Sequence, residues 1–238
     1  TIYTILPGQG RPFCMAEFIR AATASPFCTL LILPTKRLAG ELRDELREAG
    51  APFLPDLVGT PEEVARAILF RHRPAVRVIE RDEARALFLA VLKSRPPGSP
   101  LMPPDRQPGI RQADDLAVLR KVLEARSTDY PGCLGDLQGP RSTEVGAVLD
   151  AYRALLEERS LADADSVLAC AAAAVCEAKE PWQVYAYGLY EPSASLRKFL
   201  GALRRGEGTF TAFVPYAESP AVFADRWEWL EADECHTI

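Results

Sequence analysis

Several things are scarce in this sequence, and each scarcity excludes something. Histidine occurs only at His72 and His236. The six cysteines, at 14, 28, 133, 170, 176 and 235, form no CxxC pair. Such spacing builds neither a zinc site nor a disulfide framework, and free thiols fit a reducing, cytoplasmic compartment. No apolar run reaches bilayer-spanning length, so no membrane partner is expected. No basic segment with a short apolar core opens the chain, so no secretory signal is read. Positive charge is in deficit: 28 Lys and Arg face 33 Asp and Glu, a net charge of −5. That excludes coating nucleic acid by charge alone. The deficit is uneven, however. Residues 1–75 carry 9 Lys/Arg against 8 Asp/Glu, while 76–181 carry 14 against 17 and 182–238 carry 5 against 8. A phosphate would meet least repulsion in the first third.

The 238 residues are 48% hydrophobic, enough for one or two cores. The first third alternates between strand and helix patterns. A β-branched run at 2–6 meets a turn with Gly8 and Gly10, and a helix is expected at about 13–23. "CTLLILPT" (28–35) is a continuous apolar run, as in a parallel strand buried on both faces. "KRLAGELRDELREAG" (36–50) places Leu38, Ala39, Leu42 and Leu46 on one side of a helix, with Gly50 at its C-cap. Thr60, Pro61, Glu62 and Glu63 have the chemistry of a helix start: a capping hydroxyl, a fixed φ and two carboxylates in the first turn.

The middle is different. Helical periodicity runs through 80–95, 113–126, 142–160 and 163–179, and strand-like runs are nearly absent. Asp163 and Asp165 suit the cap and first turn of the last of these. Six prolines in 95–109 read as an extended loop. Strand and helix patterns resume with "QVYAYGLY" (183–190), a helix at 193–206 ending at Gly206, and "TFTAFVPY" (209–216). The chain therefore reads as an α/β domain made of 1–75 and 182–238, interrupted by an all-helical subdomain at 76–181.

A strand, a glycine turn and a helix is how many proteins hold phosphate. A working loop needs G-x-x-x-x-G-K-[ST]: backbone N–H groups cradle phosphates, the lysine neutralises them and the hydroxyl holds Mg²⁺. Counted from Gly8, the second glycine is Phe13, the lysine is Cys14 and the hydroxyl is Met15. The dinucleotide pattern fails as well, since its third glycine is also Phe13 and the strand ending at Leu33-Pro34-Thr35 lacks an acidic residue. Gly8, Gly10 and Arg11 read as a vestige of a phosphate site or as a plain turn.

Several motifs in order carry a resemblance. "LLILPTKRLAGELRDEL" is similar to the second strand and helix of superfamily 1 helicases of the UvrD/Rep type. "DLVGTPEEVARAIL" looks like their next strand, threonine and helix. "LADADSVLACAAAAV" resembles the helix closing their helical insert, and "VYAYGLYEPSASLRKFLGAL" the strand, turn and helix after it. In style the sequence resembles the N-terminal region of AddB-type helicase–nuclease subunits. The resemblance implies a RecA-like (P-loop NTPase-like) parallel sheet with an inserted helical subdomain. It also implies that the strand before 188 would end in Asp-Glu in an active member, where this chain has Tyr187 and Gly188. Glu191 lies after the turn. Phosphate loop and metal strand both lack their chemistry, so no ATPase activity and no cofactor or metal are expected.

The same resemblance implies contact between single-stranded DNA and Thr35, Lys36, Arg37 and Thr60. A hydroxyl and two cations at a helix start also suit phosphate on physical grounds. An N-cap with two solvated charges accounts for 35–37 equally well, and Thr60 reads first as an N-cap. Phe223, Trp227 and Trp229 suit a base-stacking platform or a core or partner-facing cluster. The chain reads as the N-terminal piece of a longer protein, with weak DNA binding in isolation and further domains or subunits of a helicase–nuclease as partners. Two other readings stay open: an ATP-binding helicase domain with non-standard motifs, and a protein-docking module without a DNA role.

Overall fold

In the computed structural model the described residues are 1–5, 10–96, 98–101, 108–126, 139–189, 192–205, 208–215 and 235–237. The chain begins with β1 (Ile2–Ile5) and α1 (Gly10–Ala24). This helix opens at Gly10 and not near residue 13. Pro12 is no obstacle, because first-turn N–H groups have no partner within a helix. β2 (Thr29–Ile32) is buried at every residue, and α2 (Lys36–Glu48) follows it. Beyond its cap at Ala49 the backbone turns left-handed at Gly50 (φ +65°). A 3-10 turn at Pro55–Leu57 leads to β3 (Val58–Gly59) and α3 (Pro61–His72). Next come β4 (Arg77–Val78), α4 (Arg81–Lys93), α5 (Ile110–Arg126), α6 (Pro140–Glu158), β5 (Leu161–Ala162) and α7 (Val167–Ala178). The described elements end with β6 (Gln183–Tyr187), α8 (Ala194–Arg204), β7 (Thr209–Pro215) and β8 (Cys235–Thr237).

The chain is α/β and divides into two compact units: 1–73 with 168–192 and 196–238, and 74–167 with 193–195. The sequence pattern put the second boundary at 181, whereas the units meet between Val167 and Leu168. All but the first residue of α7 thus counts with the sheet.

The first unit holds a six-stranded sheet in the order β3-β2-β6-β7-β1-β8, every pair parallel. Leu30 of β2 lies opposite Val184 of β6, and Ala186 of β6 opposite Ala212 of β7. Side chains alternate across the sheet. Leu31, Leu33, Tyr185 and Phe213 pack with Phe18 and Ala22 of α1 and Leu42 and Leu46 of α2 in one core. Leu30, Ile32 and Val184, on the opposite face, are also fully buried. Burial on both faces is what the unbroken apolar run of 30–33 encodes.

In the second unit α4, α5 and α6 bury Phe88, Leu92, Leu116, Leu149 and Tyr152 in a core of their own. Phe88 stacks on Tyr152 with ring centroids 3.6 Å apart. This unit is not purely helical. β4 and β5 form a two-residue parallel bridge, Arg77 opposite Leu161 and Val78 opposite Ala162. Two residues are too few to show a period of two, so the bridge left no pattern to read.

Candidate functional site

The sheet positions the predicted residues at the C-terminal ends of its strands, where open α/β sheets take ligands. Thr35 and Thr60 follow β2 and β3, which are parallel neighbours. Thr35 is the N-cap of α2, its hydroxyl accepting from the Leu38 N–H at 3.2 Å. Lys36 and Arg37 are exposed in the first turn behind it. Arg37 reaches Glu41 at 2.5 Å, but its side chain is 83% exposed, so the pair is weak. This first turn carries two cations and no carboxylate. Its leading N–H groups and the positive end of the helix dipole add to that charge.

Thr60 is built differently. Its hydroxyl accepts from the Glu63 N–H at 3.4 Å, while the Glu63 carboxylate accepts from the Thr60 N–H at 2.9 Å. This capping box leaves Thr60 buried. Arg43 seals the same corner: its Nε donates to the carbonyls of Pro55 (3.1 Å) and Val58 (2.6 Å), and its guanidinium lies 3.6 Å from Glu63. Exposed hydroxyl and cationic character along this edge are therefore concentrated at 35–37.

Gly8 lies outside the described residues. Gly10 is buried at the start of α1. The earlier opening of that helix shifts the phosphate-loop register: with Gly10 as the last loop glycine, Arg11 takes the lysine place and Pro12 the hydroxyl place. Proline offers neither hydroxyl nor N–H. The Arg11 guanidinium is bound to α2, 3.4 Å from Glu41 and in close contact with Glu45. In the register counted from Gly8, Cys14 and Met15 point into the core. Burial pushes the Cys14 thiol well above its usual range. Phe13 packs edge-on against Tyr3 (5.3 Å) and Phe213 (5.9 Å). Neither register offers a hydroxyl for a metal ion.

β6 ends in the same way. Tyr187 packs against the core beside Phe213 and Tyr185. Gly188 is left-handed (φ +72°), donates its N–H to the Phe213 carbonyl at 2.9 Å and lies against Pro34. Leu189, next in line, is buried. Glu191, Phe223, Trp227 and Trp229 lie outside the described residues. Among the described residues no cluster of His, Cys, Asp and Glu could hold a metal ion. No described helix is long and apolar enough to cross a membrane.

Sequence reasoning missed one buried cluster in the second unit. The helix expected from 163 starts only at Val167, so Asp163 and Asp165 lie in the turn before α7 and not in its cap and first turn. The Asp163 carboxylate accepts from the Ser166 N–H at 2.9 Å. The same carboxylate also receives Arg120 of α5 and, at 2.8 Å, the Tyr152 hydroxyl of α6. The Arg120 guanidinium lies over the Tyr152 ring, 5.1 Å from its centroid. These contacts tie α5, α6 and the turn before α7 together, a structural task. His72 is also engaged, 3.4 Å from Glu180 and edge-on to the buried Trp182. Only the backbone of His236, in β8, is described.

The arrangement can hold an anion at the start of α2, and its described residues carry no set of groups for phosphoryl transfer. Neither a protein-family model nor a curated protein matches this chain.

Proposed function

We propose that the chain is a helicase-like module of the UvrD/Rep pattern, nearest to AddB-type subunits, that guides DNA and does not hydrolyse ATP. In this reading the six-stranded sheet is a RecA-like core and the 74–167 unit its helical insert. The observation that carries the reading is the placement of β1 and β6. One strand, β7, separates them, and all three are parallel. Their C-terminal ends therefore lie at one edge of the sheet, roughly 10 Å apart at two strand spacings. A loop after β1 and a carboxylate after β6 could share one Mg-nucleotide across that distance. Met15, or Pro12 in the register set by the start of α1, stands in the hydroxyl place, and Tyr187 and Gly188 stand in the places of the Asp-Glu carboxylates.

What is left for such a scaffold is contact with the strand itself, by way of Lys36, Arg37 and the N-terminus of α2. Fluorescence anisotropy with short single-stranded DNA at low salt tests this. Wild type is expected to bind weakly, and Lys36→Ala/Arg37→Ala to lose about 1–3 kcal/mol with a shallower salt dependence. Equal affinities and equal salt slopes would remove the DNA role. Calorimetry with Mg-ATP is expected to give no dissociation constant tighter than about 1 mM. Micromolar binding would favour an ATP-binding domain with non-standard motifs.

A further inference from the structure

A second surface owes nothing to the strand ends. Alongside the edge strand β3, the helices α2 and α3 and the 3-10 turn at 55–57 enclose an open cleft of about 620 Å³. Its floor is apolar, made by Leu54, Leu57 and Ala67. Phe70 stands at its margin with 82% of its surface exposed, the most exposed of the large hydrophobic residues described. Around this floor are four arginines, Arg43, Arg47, Arg66 and Arg71, against two carboxylates, Asp56 and Glu63. Arg47 and Arg71 also meet carboxylates just beyond the lining, Asp44 and Glu180, so the rim stands out by its density of guanidinium groups and not by a net charge.

We propose that this cleft docks an acidic peptide segment of a partner protein, one carrying an apolar anchor among its carboxylates. Three observations select that occupant. The guanidinium rim calls for carboxylates or phosphates. The aliphatic floor calls for an apolar side chain, which nucleic acid does not supply, and Phe70 offers a single ring where a strand of bases would use several. Finally, the edge of the sheet is already occupied, because Arg43 donates to the carbonyls of Pro55 and Val58. Recognition therefore runs through side chains and not through an added β-strand.

The rim can exchange partners. Arg47 is held by Asp44 at 2.6 Å in a pair with both side chains more than half exposed, and such pairs are easily traded for a better-placed carboxylate. Arg71 is held more firmly, donating to the Phe27 carbonyl at 2.6 Å and to Glu180 at 3.0 Å. Arg47 is accordingly the cation to test, together with Arg66, which lines the same cleft from α3.

The probe is a fluorescein-labelled peptide of alternating glutamate and leucine with one central phenylalanine, titrated into the full chain. Saturable binding is expected. Phe70→Ser and Arg47→Glu/Arg66→Glu should each weaken it about tenfold or more, the size of a hot-spot loss. Lys36→Ala/Arg37→Ala should leave it unchanged, which separates this surface from the DNA reading. Phe70 is so exposed that its replacement leaves the core intact, and an unchanged melting curve verifies this. Absence of saturable binding overturns the proposal, as does equal binding of a peptide with every leucine and the phenylalanine replaced by serine. If oligo-dT binds through Phe70, Arg47 and Arg66 and displaces the peptide, the cleft is a nucleic-acid site and the proposal falls.

Discussion

Arg120 grips Asp163 with both ends of its guanidinium, Nη1 on one carboxylate oxygen and Nη2 on the other, where neither side chain is more than 6% exposed. A buried pair of this kind is hard to break from one side. Asp163→Asn keeps the shape but leaves the guanidinium uncompensated, and also weakens the acceptor used by Tyr152 and Ser166. The expected loss is about 3–5 kcal/mol, read from urea denaturation. Replacing both partners by apolar residues, Arg120→Met with Asp163→Leu, is expected to recover much of it. A single-variant loss below about 1 kcal/mol would show that water reaches the pair.

Two neighbouring carboxylates should respond to acid in opposite ways. Burial alone would push the Asp163 carboxyl up, but Arg120's charge, with hydrogen bonds from Arg120, Ser166 and Tyr152, holds it below its usual range. Its contribution is therefore present above its unfolded value of about 3.9 and is lost as pH falls through the folded value. Asp165 moves the other way, raised first by burial and then by the charge of Asp163. A raised carboxyl favours the fold while protonated, below its unfolded value, and that advantage is lost as pH rises through the folded value. Asp165→Asn is expected to raise the melting temperature at pH 7, with the gain shrinking as the pH approaches 4. A lower melting temperature at pH 7 would contradict this assignment.

Gly59 has no room for a side chain. A Cβ there would stand 2.8 Å from the Glu63 carboxylate and 2.9 Å from the Arg43 guanidinium. Gly59→Ala must displace Glu63, and the capping box of α3 goes with it. A loss of about 0.5–2 kcal/mol is expected, the usual worth of an N-cap. Thr60→Ala removes the other half of the box and should cost a similar amount. Because the two share one device, the double variant should lose less than the sum.

The two registers of the first loop make different forecasts. Cys14 is 1% exposed inside the main core, so Cys14→Lys buries an ammonium without a partner. It is expected to unfold the chain or to lower stability by about 3 kcal/mol or more. Pro12→Thr, in the exposed first turn of α1, should cost less than about 1 kcal/mol. If Cys14→Lys folds and binds Mg-ATP, the register counted from Gly8 is the true one. Thiol labelling gives a companion test. Exposed Cys176 should react with iodoacetamide in the native state, and Cys14 only after unfolding.

Strand β2 was legible because four consecutive aliphatic residues, at 30–33, stop at a proline, a run that suits a doubly buried strand. The caps at Thr35 and Thr60 were legible too, since side-chain chemistry and local spacing define them. The start of α1 was not: proline and two glycines suggested a longer turn, yet a helix tolerates proline in its first turn. β4, β5 and β8 have two or three residues each, fewer than a period needs to show itself. The Arg120–Asp163 pair spans 43 positions of chain. Each partner taken alone looks like a solvated charge on a helix, and only the packing of α5 against α6 removes the water. At the candidate site, the position of Lys36 and Arg37 followed from sequence. The apolar cleft beside β3 did not, because Leu54 and Leu57 come from the turn before β3 while Ala67 and Phe70 come from α3.

The small bridge between β4 and β5 has a further consequence. It sets Arg77 beside Leu161 and Val78 beside Ala162, with the Ile79 N–H donated to the Ala162 carbonyl at 2.8 Å. The helical unit thus arrives and departs through two strands about 4.8 Å apart. The chain from Ile79 to Ser160 is thereby a closed excursion within the helical unit, its two ends held one strand spacing apart whatever lies between. Closure entropy grows slowly with loop length, about 0.6 kcal/mol for each doubling. Residues added inside this excursion are therefore expected to leave the pairing of β4 with β5 in register.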